Sequence, residues 1–335
     1  IILVVIIFSD ILQGVTFGVF ITMILFVINY SQLSVIKIET NASDHASNVD
    51  RDLETRERLN KEGNRVLILI LQGFIFFGTA DKLVSAIRSR IVDKEGSRFD
   101  YLVLDFHHVS QLDTSAIVTF SKLAQLSERV GFHIIISSAD DNSIKQLVKH
   151  RFFTFADLTW ERHYKEQLDI AVDWCERRIL NDLALNAEDR HLSLSDIIYR
   201  IAYDESDVYR LAEFFKVENR KAGEYLFQEG DDSQSLYFVG SGTVVVVIKI
   251  PRQQEKILRK YKAGAILGEM AFYTGENRTA SVRIEDDSEL FRLDKESMEE
   301  MSQQFPRSTA ALHTYIIKLL SERLSRANRE LSRYI

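Results

Sequence analysis

The chain has 335 residues, of which 27% are charged, and a formal net charge of −7 at pH 7. A chain of this length has room for two or more domains, which typically contain about 100–200 residues each. The acidic balance argues against a nucleic-acid partner, because such a partner normally requires a basic face. The single cysteine, Cys175, excludes an intramolecular disulfide framework and suits a reducing compartment.

Apolar residues are concentrated at the start of the chain, where Asp10 is the one charged residue among the first 36. Residues 11–29 form a run of 19 uncharged residues, which at about 1.5 Å each nearly spans a hydrocarbon core of about 30 Å. We therefore predict one or more transmembrane segments in residues 1–36 and a cytoplasmic location for residues 37–335. A buried helix of a soluble domain is the alternative. The chain begins with Ile-Ile inside an apolar stretch, which predicts a fragment of a longer, multi-pass membrane protein.

Residues 37–64 are polar and charged and lack a sustained apolar face, so they predict a linker. From residue 65 onward, short apolar runs alternate with helical patterns. The apolar runs that indicate buried strands cover residues 66–71, 101–106 and 133–137, and the helical patterns cover residues 79–91, 115–130 and 142–150. This alternation predicts that residues 65–175 form an α/β domain with a mixed, mainly parallel sheet and helices.

Residues 176–205 are charged and have a helical pattern, which predicts a helical connector. From residue 206 onward the pattern is all-β, with short apolar runs broken by glycines, and this predicts a jelly-roll-like barrel. The end of the chain predicts C-terminal helices, interrupted near Pro306. The predicted fold class is multidomain: a transmembrane helix, then an α/β domain, then an all-β barrel with C-terminal lid helices.

The residues with the clearest binding chemistry lie in the predicted barrel. At Gly268-Glu269-Met270-Ala271, backbone N–H groups can converge on an anion. Arg278 follows nine residues after Glu269, and its guanidinium fork can add charge-assisted hydrogen bonds. Glu269 can accept a hydrogen bond from a ribose hydroxyl, so a cyclic phosphate joined to a ribose fits this combination. Taken singly, a solvated surface arginine and an exposed carboxylate are the alternatives.

Residues 206–335 resemble a cyclic nucleotide-binding domain of the type found in bacterial catabolite activators, protein kinase A regulatory subunits and cyclic-nucleotide-gated channels. The resemblance rests on three segments in order: GEYLFQEGDDSQSLYFVGSGTVVV, GAILGEMAFYTGENRTASV and a C-terminal helix pair ending LLSERLSRANREL. It implies that cyclic AMP or cyclic GMP is the regulatory ligand and that the helix after Pro306 forms a lid over the base. The residues that it implies at the phosphate and ribose site are Gly268, Glu269, Met270, Ala271, Arg278, Thr279 and Ala280. Asn277 stands where the family often has proline, which predicts a looser loop.

Residues 64–175 resemble a STAS domain, the fold of sulfate transporters and anti-sigma antagonists, through LQGFIFFGTADKL and LVLDFHHVSQLDTSAI. The second segment places Asp113 and Ser115 at a strand-to-helix turn, where both are expected to cap the helix. In anti-sigma antagonists the residue matching Ser115 is phosphorylated. Here Ala116 replaces the usual glycine, which favours the capping role. No metal site is expected.

The order of the three parts resembles the end of a SulP-type anion permease with an added cyclic nucleotide-binding domain. We therefore predict the cytosolic regulatory part of a SulP-like secondary transporter, whose STAS domain couples a nucleotide sensor to a transport core outside this chain. A homodimer through the membrane and STAS parts, and no enzymatic activity, are further expectations. The alternative is a structural dimerisation scaffold with a degenerate, non-binding pocket. A catabolite-activator-like transcription factor is disfavoured, because no helix-turn-helix pattern follows the lid helix.

Overall fold

The computed structural model describes residues 11–32, 34–92, 99–150, 152, 164–183, 191–202, 204, 207–248 and 255–331. The chain divides into two compact units. The first unit comprises Ile1–Asn41 and Asn64–Ala171, and the second comprises Ala42–Gly63 and Val172–Ile335. Residues 42–63 therefore belong to the second unit, although they precede most of the first unit in the sequence.

The elements are numbered in chain order. The helices are α1 (Ile11–Gln32), α2 (Leu53–Glu62), α3 (Phe77–Val92), α4 (Thr114–Val130), α5 (Asp141–Lys149), α6 (Leu168–Asp182), α7 (Leu194–Tyr199), α8 (Val208–Ala212), α9 (Glu269–Thr274), α10 (Lys295–Gln304) and α11 (Pro306–Leu331). The strands are β1 (Ile36–Asn41), β2 (Val49–Asp50), β3 (Val66–Ile75), β4 (Tyr101–Leu112), β5 (His133–Ser137), β6 (Tyr164–Lys165), β7 (Phe215–Arg220), β8 (Tyr225–Phe227), β9 (Ser235–Ile248), β10 (Lys256–Tyr261), β11 (Ile266–Leu267) and β12 (Ser281–Asp294).

Helix α1 lies at the position of the predicted transmembrane segment. Within the residues that the structure describes, however, no helix is both long and apolar enough to cross a membrane, so the predicted span is not supported. Residues 1–10 of the predicted segment lie outside the described residues.

The first unit is built on a five-stranded sheet in the order β1-β3-β4-β5-β6. Strands β3 to β6 are parallel to their neighbours, and β1 is antiparallel to β3. Ile68, Val103 and Ile135 are fully buried, as expected of strands covered on both faces. The predicted mixed, mainly parallel sheet is therefore confirmed, and β1 is an additional antiparallel edge strand formed by residues that the sequence assigned to the linker.

The turn into α4 carries the predicted cap. Asp113 is the N-cap residue, and its side chain accepts a hydrogen bond from the backbone N–H of Ser115 at 3.2 Å. The hydroxyl of Ser115 also donates to Asp113, and it accepts from the backbone N–H of Phe77 at 3.1 Å. Asp113 thus caps α4 as predicted, whereas Ser115 joins the start of α4 to the start of α3.

The second unit is an antiparallel β-barrel closed by helices. Its seven-stranded sheet has the order β2-β10-β9-β12-β7, with β11 paired to β9 and β8 paired to β12. The apolar core includes Phe238 of β9, Phe291 of β12 and Leu312 of α11. The all-β domain with C-terminal helices is therefore confirmed.

Residues 42–63 are folded, although the sequence predicted a linker there. Strand β2 pairs in parallel with β10, with Val49 opposite Lys260 and Asp50 opposite Tyr261. Asp50, Arg51 and Arg56 are all buried. The absence of a sustained apolar face misled the sequence prediction, because ion pairs to distant residues hold this segment in the second unit together with a few buried apolar side chains such as Val49 and Leu59.

The predicted helical connector, residues 176–205, contributes to the second unit as well. It contains the C-terminal part of α6 and all of α7, and Ile197 and Ile198 of α7 are buried in the apolar core of the barrel unit. Residues 184–190, 203 and 205 lie outside the described residues. The described part of this stretch is thus an integral part of the barrel unit.

Candidate functional site

Gly268 sets the geometry of the predicted site. It precedes α9 in the left-handed region, with φ +75°, which favours glycine. A Cβ atom at this position would lie 2.4 Å from Nη1 of Arg278, so a larger residue would displace the guanidinium. The glycine therefore lets the turn into α9 and the arginine side chain lie against each other.

Glu269, the predicted ribose acceptor, is only 4% exposed. Its Oε1 accepts a hydrogen bond from Nη1 of Arg323 on α11 at 2.5 Å. Arg323 also donates to the backbone carbonyl of Ile266 at 2.9 Å. Burial raises the pKa of Glu269, and the charge of Arg323 opposes that rise. The acceptor expected for a ribose hydroxyl is thus held by a side chain of the C-terminal helix.

Arg278 is buried, and its guanidinium joins two backbone segments of the site. Its Nη1 donates to the carbonyl of Gly268 at 2.9 Å, and its Nη2 donates to the carbonyl of Ser235 at 2.6 Å. The guanidinium carbon lies 4.1 Å from the ring centre of Phe227, a cation–π contact. Among the described residues, Nε has no hydrogen-bond partner. Burial lowers the pKa of this arginine. Both ends of its fork thus bind backbone carbonyls.

The remaining predicted residues differ in exposure. Met270 and Thr279 are exposed, Ala271 is buried and Ala280 is half-buried. The predicted looser loop at Asn277 is not seen. The backbone N–H of Arg278 donates to Asp231 O at 2.9 Å, and its carbonyl accepts from Gly230 N at 2.8 Å. The turn at residues 230–231 thus holds the loop without help from a proline.

The sequence did not single out Asp50, which lies beside this site. Its carboxylate accepts from Arg326 Nη2 at 2.7 Å and pairs with Arg323 Nε at 2.7 Å. Arg259 and Arg56 lie at 3.3 and 3.7 Å. Burial alone would raise the pKa of Asp50, but the four arginines hold it well below its ordinary value. The alternating acidic and basic residues around position 50 were the signal in the sequence, but they predicted an exposed segment.

Two polar contacts fix α11 against α9. One is the pair of Arg323 and Glu269 already described. The other joins the hydroxyl of Tyr273 to Nδ1 of His313 at 2.6 Å. Burial raises the pKa of Tyr273 to about 12, so the phenol is neutral at physiological pH. The helix that the resemblance assigned to a lid is therefore docked on the element that carries Glu269.

Among the residues that the structure describes, those that could hold a metal ion are not brought together. In the described parts of the chain, no group of three or more His, Cys, Asp or Glu side chains has an arrangement that could bind one. The chemistry of the site is thus that of hydrogen-bond donors, one buried carboxylate and buried guanidinium groups. Such a set suits the recognition of an anionic, hydroxyl-bearing ligand.

Two family models match this chain. Residues 217–305 match the cyclic nucleotide-binding domain, and residues 58–165 match the STAS domain. The chain therefore contains both domains, the STAS domain in the first unit and the cyclic nucleotide-binding domain in the second.

Curated relatives match parts of the chain. It is 28% identical over 178 residues to the vacuolar basic amino acid transporter VSB1 of Saccharomyces cerevisiae, covering 51% of this chain and 17% of that protein. It is 25% identical over 187 residues to the cyclic nucleotide-gated channel beta-3 of Canis lupus familiaris, covering 55% of this chain and 23% of that protein. The chain thus matches less than a quarter of the length of either relative. Among solved structures, the Thermus thermophilus catabolite activator protein is 27% identical with a TM-score of 0.35, covering 41% of this chain and 62% of that one.

Proposed function

We propose that this chain is the regulatory part of a SulP-like secondary membrane transporter, in which the second unit senses cyclic AMP or cyclic GMP and the STAS domain couples that sensor to a transport core. The observation that carries the proposal is the presence of both domains in one chain. The relatives named as a transporter and a cyclic nucleotide-gated channel support it. In this proposal residues 37–335 are cytoplasmic and bind a ligand without catalysing a reaction. Dimerisation stays a prediction.

The mechanism we propose is a competition for Glu269. In the structure Arg323 of α11 holds this carboxylate. A ribose hydroxyl that binds Glu269 would take the place of Arg323. Arg323 would then keep Asp50 as its carboxylate partner, since its Nε already lies 2.7 Å from that carboxylate. The position of α11 then depends on whether nucleotide is bound. The ligand shifts this equilibrium only by the difference between its affinities for the two states.

A second candidate function has its own observation. Both ends of the Arg278 fork bind backbone carbonyls, and Glu269 binds Arg323. The polar groups expected to bind nucleotide are therefore already occupied by protein partners. On this evidence the unit would be a structural scaffold with a degenerate pocket, and nucleotide would neither bind nor stabilise it.

Isothermal titration calorimetry of the whole chain with cyclic AMP and cyclic GMP separates the two candidates. Sensing predicts saturable heat with at least one nucleotide, and a higher melting temperature, because a ligand that binds the folded state stabilises it. No heat with either nucleotide at millimolar concentration, together with an unchanged melting temperature, would favour the scaffold.

Variants at three positions test where the nucleotide binds. Arg278→Ala should weaken binding by roughly ten- to a hundredfold, as the loss of one or two charge-assisted hydrogen bonds implies. Because Arg278 also braces Gly268, Thr279→Val at an exposed position provides a second variant, expected to weaken binding several-fold. Lys318→Ala, exposed on α11, is the control and should bind as the unaltered chain does.

A further inference from the structure

A second cavity lies within the second unit, between residues 42–63 and the C-terminal half of α11. Its volume is about 350 Å³, in the range of pockets for small molecules. Arg51 and Arg56 line one side, and Arg323 and Arg326 line the other. Four guanidinium groups thus face this space, together with two carboxylates, Asp50 and Glu322. Glu269 and Arg278 do not line it, so the cavity is distinct from the predicted nucleotide pocket.

Arg326 has hydrogen-bond donors in this cavity that no acceptor among the described residues uses. The residue is 6% exposed, and its Nη2 donates to Asp50 at 2.7 Å. Among the described residues this is its single hydrogen-bond partner, which leaves Nε and Nη1 without protein acceptors. Neither atom is among the buried, unpartnered side-chain atoms of the described residues, so both are open to the cavity, where a ligand or water can accept from them.

Arg56 lacks a close carboxylate. Its Nη2 donates to the carbonyl of Val49 at 2.7 Å, but the nearest carboxylate oxygens, on Asp50 and Glu176, are 3.7 and 3.9 Å away. Its Nη1 has no hydrogen-bond partner among the described residues. Burial lowers the pKa of Arg56 to about 10, and the nearby charges of Arg326 and Arg51 add to this effect. The wall of the cavity therefore carries a buried arginine donor without a protein acceptor among the described residues.

The other carboxylates near the cavity are already paired. Glu176 accepts from Arg51 at 2.5 Å and from the hydroxyl of Ser47 at 2.6 Å. Asp173 accepts from Arg51 at 2.6 Å. Asp50 is shared by four arginines. These carboxylates, together with Glu322, balance the four arginines in number, so what the cavity offers an anion is the unused hydrogen-bond donors of Arg56 and Arg326.

We propose that this cavity binds a small, soluble organic phosphate, with Arg326 and Arg56 as its cationic ligands. Planar guanidinium forks match phosphate oxygens, and the hydroxyls of Ser321 and Ser325 add neutral donors along the wall. Leu53 and Leu319 offer apolar surface for the organic part. The cavity is larger than a single phosphate ion and has room for a whole small phosphate ester. The inference does not depend on cyclic nucleotide binding, although Arg323 is common to both sites.

Calorimetric titration of the whole chain with pyrophosphate, at an ionic strength held constant with potassium chloride, tests the site. Saturable binding is expected. Arg326→Met, which keeps the apolar stem and removes the charge, should weaken it by at least about tenfold, because a charge-assisted hydrogen bond is lost. Lys318→Met, exposed on the same helix, is the matched control and should leave the affinity unchanged.

A second variant keeps the test decisive if Arg326→Met folds poorly. Ser325 is exposed at the wall of the cavity, so Ser325→Asp introduces a repelling carboxylate without removing an ion pair and should also weaken binding at least about tenfold. Absence of saturable heat would overturn the proposal. So would binding that Arg278→Ala abolishes while Ser325→Asp retains it, because the anion would then lie in the nucleotide pocket. Failure of cyclic AMP and cyclic GMP to bind would bear on the sensor alone.

Discussion

At the scale of single residues, the site depends on two side chains and one missing side chain. Gly268 has no Cβ, so the guanidinium of Arg278 can approach its backbone and donate to its carbonyl at 2.9 Å. Glu269, the next residue, is buried and paired with Arg323. A larger residue at position 268 would displace the guanidinium of Arg278, and loss of the Glu269 carboxylate would leave Arg323 without this partner. These contacts explain why the three residue types occur together at this spacing.

Gly268→Ala should destabilise the chain more than Gly275→Ala. The two glycines have nearly the same backbone, φ +75° and φ +74°, but a Cβ at Gly275 would meet nothing within 4 Å. The left-handed backbone alone should cost about 1–2 kcal/mol in both variants. Displacement of Arg278 should cost Gly268→Ala about 1–3 kcal/mol more. Urea unfolding measures both, and equal losses would show that the contact with Arg278 contributes nothing.

At the scale of elements, the C-terminal helix is attached through charge as well as through its apolar face. Leu312 and Ile316 of α11 are buried in the apolar core, while Arg323 and Arg326 reach Asp50 on β2. Strand β2 thus anchors a helix that lies more than 250 positions later in the chain. One short strand therefore controls how firmly α11 is held.

Asp50→Asn should lower the free energy of unfolding by about 3–5 kcal/mol, because buried arginines lose their charged partner. Glu57→Gln, at an exposed position of α2, is the control and should stay within about 0.5 kcal/mol of the unaltered chain. Chemical unfolding of both variants at neutral pH provides the comparison.

The same carboxylate predicts a pH dependence. The folded-state pKa of Asp50 lies below its unfolded value, so its contribution to stability is present at neutral pH and is lost as the pH falls below about 4. The Asp50→Asn variant should lack this part of the acid loss. An identical acid profile for the variant and the unaltered chain would contradict the assignment.

At the scale of the whole molecule, the two units are interleaved along the sequence. Residues 42–63 fold with the second unit, but the chain continues from them into β3 of the first, and α6 crosses from the first unit to the second. The ion pairs of Arg51 with Glu176 and of Asp50 with Arg323 lie on these same segments. The chain passes between the units at both ends of residues 42–63 and within α6, so a change at α11 can reach all three points.

Hydrogen–deuterium exchange with saturating nucleotide tests this coupling. If nucleotide takes Glu269 from Arg323, exchange should change in α9 and α11 and also in residues 42–63 and 172–182, because their ion pairs share Asp50 and Arg56. Changes confined to residues 268–280 would contradict the coupling while leaving binding intact. The Thr279→Val variant at the same nucleotide concentration is the control. It should bind nucleotide more weakly, so it shows how the exchange depends on the fraction of chains that have nucleotide bound.

The amino-acid sequence was enough to predict the two domains. Short continuous apolar runs such as 66–71 and 133–137 are typical of strands covered on both faces, and their length and their alternation with helical patterns were enough to predict them. The glycine turns and the Gly268 to Ala280 motif likewise depend on near neighbours in the chain. These features are local, so a sequence read in short windows contains them.

The role of the polar segments could be seen only in the folded molecule. Arg51 lies 125 positions from Glu176, and Asp50 lies 276 positions from Arg326. A buried ion pair has no periodicity, and each of its members looks like a solvated surface residue in isolation. The hydrophobic pattern of the sequence therefore could not predict the folding of residues 42–63, the pairing of Glu269 with Arg323 or the arginine-lined cavity. They follow from charges that became partners only when the barrel brought distant parts of the chain together.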